Sequence, residues 1–415
     1  MPLSVYVLGF GIFTQGTSEF MLSGLLPDLA DDLGVSIPAA GLLISAFAVG
    51  MVIGAPLLAI TTLRWPRRTA LVALQGVFVL AHIVGAMATT YELLFATRVI
   101  SALVYAGCFG VALATAVSLV PPGSTGKAVA TVAGGLTLAT IVGVPAGTLL
   151  SQYAGWRAAF WAVAAATMVS LLWTAFAIPG GRADGEPPRS ARAELRGMKR
   201  PHLWLSYAIT AFTFGAVIVT FSYLASVLTE VSGLADAWVP GVLALFGVGG
   251  LLGITLGSRW AQTHPLRTLL WGLVGLMIVS ALIALTARHT AVTVVLVFFL
   301  GFVAWVTNPA LQARVYALAP EAPTLVGATN TAAFNVGNTL APMLGGLVIS
   351  TGHGFASVAW VGVALAATGC LATLWAWRLS GRTPAPAVTS PPVPGDTGST
   401  PAGGPRRAAL THTGT

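Results

Sequence analysis

The stretch Gly180–Arg200, GGRADGEPPRSARAELRGMKR, is a polar island in an apolar chain. It holds six of the 20 basic residues. A helix that crosses about 30 Å of hydrocarbon needs about 20 residues at 1.5 Å each. Six apolar runs of at least about that length precede the island: 3–26, 39–61, 69–89, 93–119, 128–150 and 157–179. Six follow it: 202–228, 239–258, 267–287, 291–316, 325–350 and 356–378. The sequence therefore predicts an all-α integral membrane protein of twelve transmembrane helices. Residues 1–179 form one six-helix half, 180–200 the linker and 201–379 the second half. The tail 380–415, rich in Pro, Thr, Gly and Ser, has no apolar period and reads as disordered.

Composition agrees. Only 8% of the 415 residues are charged, against about 25% in a soluble domain. The net charge of +8 is not a nucleic-acid signature, because the basic residues form no dense patch. Cys108 and Cys370 lie in apolar runs and read as small buried hydrophobes. The start, MPLSVYVLGF, lacks a basic region and a cleavage pattern, so it reads as a retained first helix.

Basic residues set the orientation. Arg64, Arg67, Arg68, Lys127, the linker cations, Arg259, Arg267, Arg314 and the C-terminal arginines all fall on one side. Arg157 and Arg288 fall on the other, beside a first loop holding Asp28, Asp31 and Asp32. The basic side is cytoplasmic on this reading, with both termini inside and the chain multi-pass in the cell (inner or plasma) membrane.

An internal echo supports the division. Gly41-x8-Gly50 recurs as Gly241-x8-Gly250. The loop Arg64–Thr69 returns in Arg259-Trp260 and Pro265–Thr268. Leu119-Val-Pro121 parallels Leu318-Ala-Pro320, and Pro145 before Gly155 parallels Pro342 before Gly352. Six helices per unit is an even number, so the two halves are parallel repeats about an axis along the membrane normal.

Several segments carry a resemblance: Gly16-Thr-Ser-Glu19-Phe-Met with Gly24-Leu-Leu-Pro27, Gly54-Ala-Pro-Leu57, Gly143-Val-Pro145-Ala-Gly147, Gly155-Trp-Arg157, and Leu234-Ala-Asp-Ala-Trp238. From about residue 3 to 378 the chain resembles the drug/proton antiporters of the major facilitator superfamily. It looks most like the bacterial chloramphenicol exporters. The resemblance implies proton-coupled antiport by alternating access, with chloramphenicol as the leading small amphipathic drug. Related exporters of sugars, nucleosides or secreted natural products share the first segments, so that alternative stays open. The expected partners are the drug, protons and the lipid bilayer, and the expected state is a monomer. No nucleic acid, cofactor or metal is expected.

Individual residues then take roles. Glu19 is the only carboxylate well inside a run, on a stripe with Gly11, Gln15 and Ser23. A stripe of that kind should face a central cavity, and a carboxyl that loads and unloads a proton is what antiport needs. Arg98 matches the Arg of the family's Arg-x-x-Gln-Gly signature, with Ser101 and Ala102 in place of Gln and Gly. It reads as a coupling residue, a structural hydrogen-bonding group or a snorkelling cation. Gating is assigned to Arg64, Arg67 and Arg68, with a purely topological role as the alternative, and to Gly143, Pro145 and Gly147, with static small-residue packing as the alternative. The Asp usual in the arginine turn is absent, and Leu63 stands in its place. Substrate contact is assigned to Gln15, Tyr105, Phe214, Asn308, Gln312, Asn335 and Asn338, with ordinary packing as the alternative for each.

Other patterns carry no chemistry. Gly123–Ala128 lacks the spacing and the Ser/Thr of a phosphate loop. The six histidines are scattered; only His82 lies within a run, and it reads as a hydrogen-bonded core residue. The runs offer no converging nucleophile, base or metal ligands, so the chain does not read as an enzyme.

Overall fold

The computed structural model describes residues 1–62, 65–121, 124–180, 200–319 and 323–380. The interior of the linker, the C-terminal tail, Leu63 and Arg64 lie outside these residues. Every element among the described residues is helical. The first half holds α1 (Leu3–Leu33), α2 (Ile37–Thr61), α3 (Arg67–Ala86), α4 (Tyr91–Ser118), α5 (Thr125–Leu138), α6 (Val144–Ala154) and α7 (Trp156–Ala177). The second holds α8 (Pro201–Ser222), α9 (Val239–Thr263), α10 (Pro265–Thr286), α11 (Thr290–Val306), α12 (Asn308–Leu318), α13 (Pro323–Val348) and α14 (Ser357–Ser380). Together α5 and α6 make one span, as do α11 and α12, which gives six spans on each side of the linker.

Eleven of these spans are long and apolar enough to cross a membrane by length and composition. The remaining one, α1, has 31 residues, ample length, but buries Thr14, Gln15, Thr17, Ser18, Glu19 and Ser23. Those polar side chains dilute its hydropathy. The bundle has an apolar core, as a soluble protein does, but it also exposes large apolar side chains and buries several polar ones. Arg98 and Gln15 are fully buried, whereas Leu80, Leu285, Leu371 and Trp271 lie more than 60% exposed. Apolar side chains outside and polar ones within suit a hydrocarbon solvent.

Three helix ends differ from the sequence reading. α1 continues seven residues past the expected end, so Asp28, Asp31 and Asp32 belong to helix rather than loop. Asp28 accepts from Ser151 Oγ at 2.6 Å, and Asp32 from Arg157 at 2.6 Å and Trp156 Nε1 at 3.1 Å. Arg157, then Trp156, hold the Asp32 carboxyl below its ordinary value. The helix stops at Gly34, whose φ of 63° lets its N–H reach the carbonyls of Ala30 and Asp31. The fifth run breaks at a π turn, Ala139–Gly143, and the tenth at Thr307. Pro145 and Pro309 follow these breaks, and each lacks the N–H that a continuous helix would use.

The two halves repeat in their packing. α3 packs on α7 as α10 packs on α14, and α2 on α4 as α9 on α11. Close approaches fix the register. A Cβ at Gly50 would strike the Val99 carbonyl and one at Gly54 the Leu103 carbonyl. A Cβ at Gly249 would strike the Phe298 carbonyl and one at Gly253 that of Phe302, all displaced by 199 positions. Likewise Gly135 meets the Gly9 carbonyl as Gly337 meets that of Ala211, displaced by 202. The sequence echo had paired Gly50 with Gly250. The backbone pairs it with Gly249, and Gly250 packs on the Trp305 ring instead.

These glycines leave no room for a side chain. Gly253→Leu forces α9 away from α11, and overpacking of that kind costs about 1–3 kcal/mol. The expected outcome is a lower melting temperature and a lower yield of monodisperse detergent-solubilised protein. The control Gly241→Ala, at a site with open space, leaves both unchanged.

Candidate functional site

The halves touch mainly toward one face. Call the face carrying the start of α1 and the end of α14 the termini face, and its opposite the far face. Toward the far face, Ser45 Oγ donates to the Thr339 carbonyl at 2.8 Å, and Gln152 donates to the Asp236 carbonyl. Gly41 and Gly346 enclose the Tyr223 ring, whose hydroxyl donates to the Pro342 carbonyl at 2.8 Å. Gly247 of α9 meets Thr140 and Ile141 in the π turn. Phe20 stands edge-on to Phe221, with centroids 6.5 Å apart.

Between the halves, toward the termini face, lies a cavity of about 640 Å³. Glu19, Tyr105, Phe214, Asn308, Gln312 and Asn335 line it. Sequence reasoning had assigned all six. It missed Asn330 and Thr210, which also line the wall. Thr210 Oγ1 donates to Asn330 Oδ1 at 2.9 Å, and Asn330 Nδ2 donates to Gln312 Oε1 at 3.0 Å. An amide five residues before Asn335 in an apolar run was the available signal. Trp305 and Phe334 supply aromatic surface. A narrow crevice with room for about one water shares Glu19 and Asn335 and adds Ser23, Ser222 and Asn338. Glu19 thus stands where the two spaces meet. Among the described residues lining the larger cavity, it is the only carboxylate, and none is cationic.

Arg98 does not line either cavity. It is fully buried, which removes the snorkelling alternative. Its guanidinium donates to Ser18 Oγ at 2.7 Å and to the Ser18 carbonyl at 2.9 Å. It also covers the Phe47 ring at 4.2 Å from the centroid, a cation–π contact strengthened by desolvation. No ion pair joins it to Glu19 among the described residues. The chain of bonds continues to His82, whose Nε2 is 2.7 Å from Ser18 Oγ and whose Nδ1 is 3.0 Å from the Phe78 carbonyl. A carbonyl only accepts, so Nδ1 carries a proton. Ser18 accepts from Arg98 and has a proton to give to Nε2, an arrangement that suits a neutral imidazole. His82 is therefore the hydrogen-bonded core residue expected from its sequence setting.

Gln15 is fully buried within the first half and lines neither cavity, contrary to its assignment as a substrate contact. α1 is buried on most sides, so its polar stripe faces two interiors rather than one. Of the assigned gating residues, Gly143 closes the π turn against Thr17, and Gly147 lies 3.4 Å from Met21 Cβ by its projected Cβ. Pro145 sits in the first turn of α6. Arg67 donates to Ser118 Oγ between α3 and α4, and Gly180 lies beside Arg68. Arg64 falls outside the described residues.

The paired bonds to Ser18 suit a planar guanidinium and not an ammonium. Arg98→Lys is therefore expected to lower the melting temperature of the purified protein. Losing one charge-assisted bond in a buried site costs roughly 1.5–3 kcal/mol. A melting temperature unchanged by Arg98→Lys contradicts the assignment.

The sequence model of the Major Facilitator Superfamily matches residues 8–333 and 242–412. The chain is 40% identical over 380 residues to a chloramphenicol resistance protein of Streptomyces lividans, covering 91% of this chain and 93% of that one. It is 37% identical to the inner membrane transport protein YdhP of Escherichia coli K12, covering 86% and 92%. In three dimensions it superposes on a bacterial homologue of the human lysosomal transporter Spinster, in an inward-facing, unoccupied conformation. The TM-score is 0.74 at 17% identity, over 92% of this chain and 98% of that one. The nucleoside transporter NupG gives 0.73 at 14% identity, over 90% and 99%. With twelve helices in two repeated halves around a central cavity, and relatives of this closeness, the chain belongs to the Major Facilitator Superfamily of membrane transporters.

Proposed function

We propose that the protein is a proton-coupled exporter of a small amphipathic drug, with chloramphenicol the first candidate, working by alternating access. The observation that carries this reading is the position of Glu19. Among the described lining residues it is the single carboxyl, where the cavity meets the narrow crevice, in a wall otherwise of neutral amide, hydroxyl, aromatic and aliphatic side chains. Such a wall suits a neutral molecule with amide and hydroxyl groups. The one ionisable acid is left to carry a proton. The chloramphenicol resistance protein at 40% identity supports the choice of drug.

The geometry supports a cycle of this kind. The far face is sealed by Tyr223, Phe221 and the π turn, while the larger cavity lies toward the termini face. The excess of basic residues on that face makes it cytoplasmic, so the conformation is inward-facing. Drug enters the cavity as Glu19 releases its proton. Rocking of the halves then opens the far face, drug leaves, and Glu19 takes a proton from outside. Each ligand biases the equilibrium only by its differential affinity for the two states. Exchange of one proton for a neutral drug moves one charge, worth ~2.3 kcal/mol per 100 mV. Gly143, Pro145 and Gly147 act as the bending point of the fifth span. Arg98 holds the α1 backbone beside Glu19 through Ser18 and is a positioning residue. Its proposed part in coupling is through that hold.

A second reading has its own observation. The run of amides Asn308, Gln312, Asn330 and Asn335 along one wall suits a polyhydroxylated metabolite.

Three measurements test this. In a pump-deficient host, the wild-type chain raises chloramphenicol resistance, and Glu19→Gln lowers it by roughly tenfold or more at equal membrane expression. Unchanged resistance in Glu19→Gln removes the coupling role. A panel of antibiotics and sugars separates the two readings, since export of sugars without drug resistance favours the second. Fluorescent-protein fusions at each terminus are expected to report both ends in the cytoplasm.

A further inference from the structure

Inside the first half, away from both cavities, four polar atoms are buried with no nitrogen or oxygen partner. They are Gln15 Nε2 and Oε1, Gln75 Oε1 and Ser170 Oγ. Gln15 and Ser170 are fully buried and Gln75 is 1% exposed. The three residues come from three helices, α1, α3 and α7. They converge on Gly11, where a projected Cβ would stand 2.8 Å from Ser170 Oγ and 3.2 Å from Gln75 Nε2. The Cys108 thiol of α4 lies against both amides. Gln75 Nε2 reaches Thr174 Oγ1 only at 3.4 Å. Other orphaned atoms, such as those of Asn335, Asn338 and Ser222, belong to residues that line a cavity and can meet solvent there. The residues of the Gln15 cluster line neither cavity. Buried polar groups left over by the protein are met by ordered water, which bonds about three of them at once.

The cluster has a direction. Gln15 lies one turn below Glu19 on the same face of α1, a Cβ separation of about 6 Å. Tyr105 bridges the two levels, since it lies against Glu19 and its hydroxyl is 3.5 Å from the projected Cβ of Gly16. At the other end Thr174 stands three residues before Ala177, the end of α7. The Ala177 carbonyl accepts from Ser4 Oγ at 2.7 Å, at the start of α1 on the termini face.

We propose that the first half holds a short file of water molecules, seated on Gln15, Gln75 and Ser170, that carries the Glu19 proton toward the termini face without passing through the drug cavity. The inference rests on the reading of Glu19 as the proton carrier. The Glu19 O–H bond breaks as the proton passes to the first water, leaving a carboxylate. Each water accepts one proton and hands another on. The last water passes its extra proton to bulk water beyond Thr174, which is itself buried. The amides exchange no proton; they hold the waters in line. Proton release and drug entry then use separate routes and can proceed together, which a single shared cavity would prevent.

The test uses the full chain in proteoliposomes with chloramphenicol as probe. Gln75→Met keeps the side-chain length and removes the polar atoms. Transport driven by a pH gradient is expected to slow at least roughly tenfold, while drug-for-drug exchange, which moves no proton, stays within about twofold of wild type. Radiolytic hydroxyl labelling supplies a readout independent of transport. Cys108 is labelled by adjacent water in the wild type and loses that label in Gln75→Met, with Cys370 as internal control. Equal slowing of both transport modes, unchanged gradient-driven transport, or an unlabelled Cys108 overturns the file. Gradient-driven transport that survives Glu19→Gln instead overturns the reading of Glu19, and the file with it. Loss in Glu19→Gln beside full activity in Gln75→Met overturns the file alone.

Discussion

A polar atom inside a bilayer cannot turn to water, so it must find a partner within the protein. That constraint organises this bundle around α1. Ser18 accepts two bonds from Arg98 and meets His82, Thr14 meets Thr167, and Glu19 meets Tyr105. Three helices, α3, α4 and α7, are thereby tied to one. The arrangement explains why a helix so poor in apolar residues sits at the centre. Its neighbours shield it from lipid, and its polar side chains hold them in place. Removing Arg98 from lipid reach also fixes the α1 backbone at Ser18, the residue next to Glu19.

A second constraint acts on the outer helices. Lipid tails are as apolar as leucine, so helices associate there through close packing rather than through hydrophobic burial. Gly50 and Gly54 let α2 approach α4, and Gly249 and Gly253 let α9 approach α11. The two pairs are displaced by the same 199 positions, which makes the duplication a property of backbone contacts rather than of sequence likeness alone. The prolines then vary the plan. Pro145 and Pro309 follow the breaks in the fifth and tenth spans, but only the first break is a π turn, and that turn is where α9 of the other half leans.

The sequence disclosed the fold because membrane crossing demands length and apolarity, which are local properties. The twelve runs, the island at Gly180–Arg200 and the resemblance of Gly16–Pro27 and Gly143–Gly147 were all readable. The cavity was half readable. Glu19, Asn308, Gln312 and Asn335 announced themselves as polar residues in apolar runs. Asn330 was equally visible but lay outside the spacing that was followed. Gln15 was misplaced for a physical reason. Helical periodicity gives the angle of a side chain about its own axis, not which of two interiors that angle meets. The fate of Arg98 was likewise hidden, since depth along a helix does not reveal a serine 80 positions away.

The distribution of order across the membrane follows from these constraints. On the far face the halves are joined by side-chain bonds, by glycine contacts with Tyr223 and by the π turn. Toward the termini face they part around a cavity whose wall bonds mainly to itself, through Thr210, Asn330 and Gln312. A wall already satisfied within one half loses little when the halves separate. A seal made between halves must be broken contact by contact. Opening the far face therefore requires replacement contacts on the termini side. On the proposed cycle, the balance between the two conformations falls to whatever occupies the cavity and to the charge on Glu19.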